Sequence, residues 1–230
     1  MKQAICSLHV GQPHRRHLQY LLHRPAGMQS SSGRWPLLLF LHGAGERGNR
    51  IQSILRHGPP KIATLRPDFP FIVISPQCPA GETWEQQPLT ELLDQVEATE
   101  NVDLSRVYGT GISMGGYGVW HLAVNHPDRF AAMAPICGGG HLLPLLLLST
   151  ARRTALEKLP LRAYHGARDK VVPLAESERM VRAYREAGGS CDLVIYPEAA
   201  HDAWTQTYSD PALWKWFLEH QRRRPSKKSG

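Results

Sequence analysis

Six short apolar runs recur along the chain at 37–41, 71–75, 106–110, 131–136, 161–165 and 193–196. They are bounded by Gly, Pro or charged residues, and several are apolar on both faces. A strand with one wet face alternates polar and apolar residues. One that is apolar on both faces must be covered by helices on both sides, as in a mostly parallel sheet. Helical stretches lie between the runs. Residues 89–100 put Leu92, Leu93 and Val96 on one face, 115–126 follow directly from a run and stop at Pro127, and 174–187 end at Gly188-Gly189. Asp210-Pro211 places a capping carboxylate and an N1 proline at the start of a last helix, running to about His220. Such alternation predicts one doubly wound α/β domain over residues 1–220. The region before residue 35 is expected to add edge strands, with 18–22 the strongest, and the Ser-rich patch at 30–33 a turn.

The formal charge of +7 suggests nucleic-acid binding until it is located. Arg222, Arg223, Arg224, Lys227 and Lys228 crowd the C-terminus with no acid among them. Without these five the domain is close to neutral, so 221–230 is read as a basic, solvated tail and no nucleic-acid partner is expected. No apolar run is long enough to span a bilayer, and the start has no apolar segment with a small-residue cleavage site. The expectation is a cytoplasmic protein whose four cysteines are free thiols. No paired Cys/His ligand spacing occurs, so neither metal nor cofactor is expected. The oligomeric state is not set by the sequence.

The sharpest local signal is Gly111-Ile112-Ser113-Met114-Gly115. G-x-S-x-G alone is common, but here a strand-like run precedes it and a helix follows, as a nucleophile elbow requires. Tight flanking glycines push the hydroxyl above the sheet, and the helix start aims backbone N–H groups at any anion formed there. A hydroxyl needs a base, and the base an orienting carboxylate, which for this elbow follow in the order Ser, Asp or Glu, His. Asp169 stands just past the 161–165 run and His201 past the 193–196 run, in that order. Asp202 and Glu198 compete with Asp169; a sequence neighbour such as Asp202 is badly placed to hold the imidazole, and Glu198 is the weaker rival. Finally, 39–41 runs into His42-Gly43-Ala44-Gly45. Acyl transfer needs donors for a tetrahedral oxyanion, each worth about 3 kcal/mol of barrier. Met114 N–H and Ala44 N–H are the expected pair, with Gly43 and Gly45 leaving the backbone bare.

With these motifs in order, the chain resembles the phospholipase/carboxylesterase-like group of α/β-hydrolases. Within it, the likeness is nearer to the branch of predicted peptidases and polyhydroxybutyrate-depolymerase-like esterases. The stretches that carry it are LLLFLHGAGERG, VDLSRVYGTGISMGGYGVWHLAVNHPDRFAAMAPICGGG, HGARDKVVP and YPEAAHDAWTQTY. The resemblance implies Ser113 as nucleophile, Asp169 as acid, His201 as base, and a small-molecule ester as substrate. It leaves open short-chain, aryl and polymer-linked esters, and the large propeller domain of prolyl oligopeptidases is absent from this sequence. Trp84, His141, Trp204 and residues 138–140 belong to loops expected around the serine, either lining a pocket or packing against helices; Trp120 is expected to pack. Residues 142–148, HLLPLLLL with His141, read as a lid or a buried helix. The rival readings are a thioesterase or small serine peptidase with the same triad and, in a different class, a non-catalytic ligand-binding protein on a hydrolase fold.

Overall fold

A computed structural model describes residues 3–10, 16–28 and 32–222. Part of the expected turn at 30–33 and most of the basic tail, from 223 on, lie outside these residues. The eight strands are β1 (Ala4–Val10), β2 (Arg16–His23), β3 (Trp35–Leu41), β4 (Ile72–Pro76), β5 (Val102–Ile112), β6 (Ala132–Ile136), β7 (Leu161–Gly166) and β8 (Cys191–Tyr196). They form one sheet in the order β1-β2-β4-β3-β5-β6-β7-β8. From β4 to β8 every pairing is parallel, and β1 and β2 are antiparallel additions at one edge. The principal helices are α1 (Gly58–Leu65), α2 (Gln86–Thr99), α3 (Met114–Asn125), α6 (Leu174–Glu186) and α8 (Pro211–Glu219), with shorter α4 (Leu143–Leu146), α5 (Thr150–Leu156) and α7 (Trp204–Ser209).

The pleat explains why a central strand such as β3 is apolar throughout. Leu37, Leu39 and Leu41 of β3 join one core with Leu92, Leu93 and Val96 of α2, Trp120 of α3, and Met180 and Tyr184 of α6. Leu38 and Phe40 point the other way, into a second core with Ala63 of α1 and Leu213, Trp214 and Phe217 of α8. Successive side chains of one strand therefore serve opposite layers, each fully buried Leu contributing about 2 kcal/mol. The cap read at Asp210 is present: its Oδ1 accepts from Ala212 N at 2.8 Å. Beyond α8 the chain is still held, because Arg222 donates through its backbone N to Ser105 O at 2.7 Å and through its guanidinium to Leu104 O at 2.9 Å.

The apolar run at 142–148 is not a buried helix. It forms a single helical turn in which Leu145 is buried while Leu143, Leu146 and Leu147 are exposed. Leucine fills every position from 142 to 148 except Pro144, so the leucines surround the turn instead of forming one stripe, and a turn this short buries only one face. No helix among the described residues is long and apolar enough to cross a membrane.

The order places β3 between β4 and β5, so successive connections leave the sheet in opposite directions at β3 and β5. At such a switch point the loops beyond the strand ends diverge and leave a crevice. Leu41, which ends β3, lies beside Gly111 near the end of β5. The His42-Gly43-Ala44 loop and Ser113 therefore emerge side by side.

Candidate active site

Ser113 joins the end of β5 to the start of α3 within one residue. That reversal demands φ 53° and ψ −118°, a conformation that costs a residue with a β-carbon of order 1–3 kcal/mol. The flanking glycines make room for it. A β-carbon on Gly115 would sit 1.9 Å from Leu41 O, and one on Gly111 would sit 2.5 Å from Gly115 O. Only bare backbone lets α3 start this close to the end of β3. Ser113 N is tied to Ile136 O at 2.9 Å, which fixes the elbow to β6 as well.

Two loops at the ends of β7 and β8 bring up the other residues. Asp169 Oδ1 accepts from Val171 N at 2.8 Å and Val172 N at 2.9 Å, leaving Oδ2 for His201 Nδ1 at 2.7 Å. The opposite ring nitrogen, His201 Nε2, is 2.9 Å from Ser113 Oγ. Facing a carboxylate, Nδ1 must carry the proton, so Nε2 is the acceptor for the serine hydroxyl. The loops are bound to each other by Ala167 N to Tyr196 O at 3.0 Å and Arg168 N to Ala199 O at 3.0 Å. Burial alone would raise the Asp169 carboxyl. The bonds from His201, Val172 and Val171 outweigh it and hold the group below the usual carboxylate range. The rival carboxylates stand apart: Glu198 pairs with Arg168 on the surface, and Asp202 is exposed.

Sequence reading missed the residue behind Asp169. His165, fully buried, places Nε2 at 2.9 Å from Val172 O and 3.3 Å from Asp169 Oδ2, while Nδ1 meets Ser177 Oγ at 2.7 Å. A carbonyl and a carboxylate both require a donor, so Nε2 is protonated and its hydrogen points at the turn that holds Asp169. The signal was the His before Gly166, hidden because it also reads as the last residue of a strand. Cys137, His165 and Asp169 are the metal-competent group among the described residues. Its donors are poorly suited to an ion: Asp169 is committed to His201, and burial pushes the Cys137 thiol up to about 12, so it stays protonated.

Met114 is the first residue of α3 and Ala44 the first of a short 3-10 turn, Ala44–Glu46. First-turn amides have no acceptor one turn back, so both N–H groups start from helix ends beside Ser113. The Ala44 loop is anchored by His42. Its Nδ1 donates to Gly43 O at 2.6 Å, its Nε2 accepts from Cys78 N at 3.0 Å, and Trp84 Nε1 donates to His42 O at 3.1 Å. That bonding needs a neutral ring, and burial lowers the His42 pKa from 6.5 to about 4. An unfolded histidine takes its proton near pH 6.5, so the contribution of neutral His42 is intact above 6.5. It is lost as pH falls through about 4, at a cost approaching about 3 kcal/mol. Buried His23, also lowered to about 4, acts in the same window. Urea unfolding should therefore show stability falling between pH 6.5 and 4. A His42→Gln variant should flatten that slope, and a slope unchanged by both His42→Gln and His23→Gln would refute the assignment.

A cavity of about 370 Å³ opens on Ser113, lined by Thr83, Trp84, Met114, Tyr117, Gly118 and His121. Of the residues expected around the serine, Trp84 lines this cavity and also packs on His42, at 4.8 Å between ring centroids. Trp204 lies on the opposite side, its ring edge-on to His201 at 5.2 Å. His141 is near enough to His121 for their charges to interact. Gly43 lies against Glu46, Gly45 faces open space, and neither lines the cavity. Trp120 packs in the core against Tyr184, as expected.

Residues 80–212, which hold Ser113, Asp169 and His201, match the family model described as phospholipase/carboxylesterase. Among curated proteins, the chain is 31% identical over 158 residues to the bifunctional acetylxylan esterase/xylanase XynS20E of Neocallimastix patriciarum, covering 66% of the chain and 22% of that protein. It is 28% identical over 162 residues to poly(3-hydroxyalkanoate) depolymerase C of Paucimonas lemoignei, covering 62% of the chain and 37% of that protein. The chain thus spans well under half the length of either relative. Among solved structures, a thermostable esterase superposes with a TM-score of 0.78 at 26% identity, over 96% of this chain and 64% of that one.

Proposed function

Because this chain belongs to the phospholipase/carboxylesterase family and has the α/β-hydrolase fold, we propose that it hydrolyses carboxylic esters through Ser113, His201 and Asp169, without a cofactor. The observation that carries this reading is the unbroken line of contacts, 2.9 Å from Ser113 Oγ to His201 Nε2 and 2.7 Å from His201 Nδ1 to Asp169 Oδ2. His201 takes the hydroxyl proton as Ser113 Oγ bonds to the ester carbonyl carbon. The carbonyl oxygen becomes an anion facing Met114 N–H and Ala44 N–H. Collapse breaks the bond to the alcohol, which leaves with the proton from His201. Water, deprotonated by the same imidazole, then attacks the acyl-enzyme and frees Ser113. Asp169 holds the ring in one tautomer and balances its charge in both halves.

The cavity beside Trp84, Met114 and Tyr117 is read as the acyl site, suited to short- to medium-chain or aryl acyl groups. Residues 1–220 are read as the single hydrolase domain and small esters as the partner. A thioesterase or peptidase would use the same three residues and differs in the leaving group it tolerates. A purely ligand-binding protein would have no need for Ser113 to stay in a strained backbone conformation. The test is p-nitrophenol release from acetate, butyrate and octanoate esters, with fluorophosphonate labelling. The expected result is turnover of the shorter esters and a label on Ser113. A protein that is inert on all three and unlabelled overturns the proposal.

A further inference from the structure

On the far side of Trp204 from His201 lies a second cleft, of about 420 Å³, whose walls include Arg56, His57, Lys61, Tyr208 and Trp214. Trp204 is the wall that it shares with the reacting groups. One edge of the indole meets the His201 ring at 5.2 Å, and the His57 ring packs on it at 5.6 Å. The floor is aromatic, with Tyr208 and Trp214 stacked at 5.7 Å between centroids. The rim is cationic. Arg66 is offset by Asp68 at 3.7 Å, and His57 faces Glu46 at 3.9 Å. Arg56 and Lys61 have no carboxylate partner among the described residues.

We propose that this cleft is a leaving-group subsite that recognises a carboxylate carried on the alcohol portion of the ester. The inference rests on the ester-hydrolase reading above and narrows its substrate class. His201 delivers its proton to the departing alcohol, so that portion lies on the imidazole side, where Trp204 and the cleft stand. The acyl chain is left the cavity at Trp84 and Tyr117. An aromatic floor accepts a flat apolar body, and two uncompensated cations at the rim accept one anionic group at its end. Two cations on the rim of one cleft do not make the extended track that a nucleic acid backbone needs.

The test uses a matched pair, 4-acetoxybenzoate and its neutral methyl ester. Both release acetate, and only the leaving group's charge changes. Intrinsic reactivity is the same for every enzyme variant, so a change in the ratio of kcat/KM for the two esters reads the protein alone. The Arg56→Gln/Lys61→Gln variant is expected to lower the anion-over-neutral ratio about five-fold or more, with the methyl ester little affected. Both side chains are exposed, so the loss should shrink at high salt. Lys215→Gln, an exposed cation on α8, should leave the ratio unchanged. A ratio unmoved by the double substitution, or lowered equally by Lys215→Gln, overturns the subsite. Binding of 4-hydroxybenzoate, followed by tryptophan fluorescence, separates the two readings. If wild type cleaves neither ester but binds the acid through Arg56 and Lys61, ester hydrolysis fails and the anion site survives. If it does neither, both fall.

Discussion

Replacing Ser113 with alanine is expected to lower kcat/KM on p-nitrophenyl esters by about 10⁵-fold or more, with the protein still folded. The large factor follows from the relay: without Oγ, His201 has no hydroxyl to activate, and only the oxyanion donors and substrate binding remain. His201→Ala should cost a similar amount, and Asp169→Asn about 10⁴-fold, since an amide would favour the wrong imidazole tautomer. These losses should not add. Ser113→Ala/His201→Ala is expected to be no worse than either single variant, because the residues act as one unit. Additive losses would argue that the three residues act separately. Stability gives an independent reading of the same residue. Alanine keeps the β-carbon and therefore the cost of φ 53°, whereas Ser113→Gly removes it and should raise the unfolding free energy by about 1 kcal/mol. A Ser113→Gly variant that melts no higher than Ser113→Ala would show that the elbow is not strained.

The parts of this molecule that could be read from its sequence are those set by local or repeated patterns. The central strands β3, β4 and β6 are apolar on both faces because each separates two helical layers, and that signal lies within five to seven residues. The convergence of Ser113, Asp169 and His201 was legible because the fold delivers them beyond the ends of β5, β7 and β8, so their order carries information. Residues held by distant partners were not. His42 could be placed in a loop motif, yet its role depends on Cys78 N, 36 residues away. His165 supports Asp169 from inside a strand that looks ordinary. Helix α1 went unread because Gly58, Pro59 and Pro60 look like a loop, although proline is well accommodated in the first turn of a helix. Residues 142–148 misled in the other direction: their composition suggested burial, but leucine stands on every face of a single turn. Only Leu145 is buried, Leu142 and Leu148 pack partly against the core, and Leu143, Leu146 and Leu147 stay in water.

Gly115→Ala should be the most damaging single methyl group that can be added near the site. The new carbon would sit 1.9 Å from Leu41 O, 2.5 Å from Leu41 C and 2.8 Å from His42 O, all backbone atoms. No side chain can rotate away to relieve the clash. Either α3 must withdraw from β3 or the end of β3 must move. Core overpacking typically costs 1–3 kcal/mol where side chains can adjust, so a clash with rigid backbone should cost about 3 kcal/mol or more. Activity should fall further than stability alone explains. The atoms displaced are the start of the His42-Gly43-Ala44 loop and the first turn of α3, which carry the two amides proposed as oxyanion donors. A misplacement of about 1 Å there is worth about 100-fold in rate. Gly45→Ala is the control, since a β-carbon at Gly45 meets nothing within 4 Å. It should leave the melting temperature unchanged while adding a methyl group to the same loop. If Gly115→Ala unfolded no earlier than Gly45→Ala and kept full turnover, α3 would not need to start against β3, and the assignment of Met114 N–H and Ala44 N–H as a matched pair of donors would fail with it.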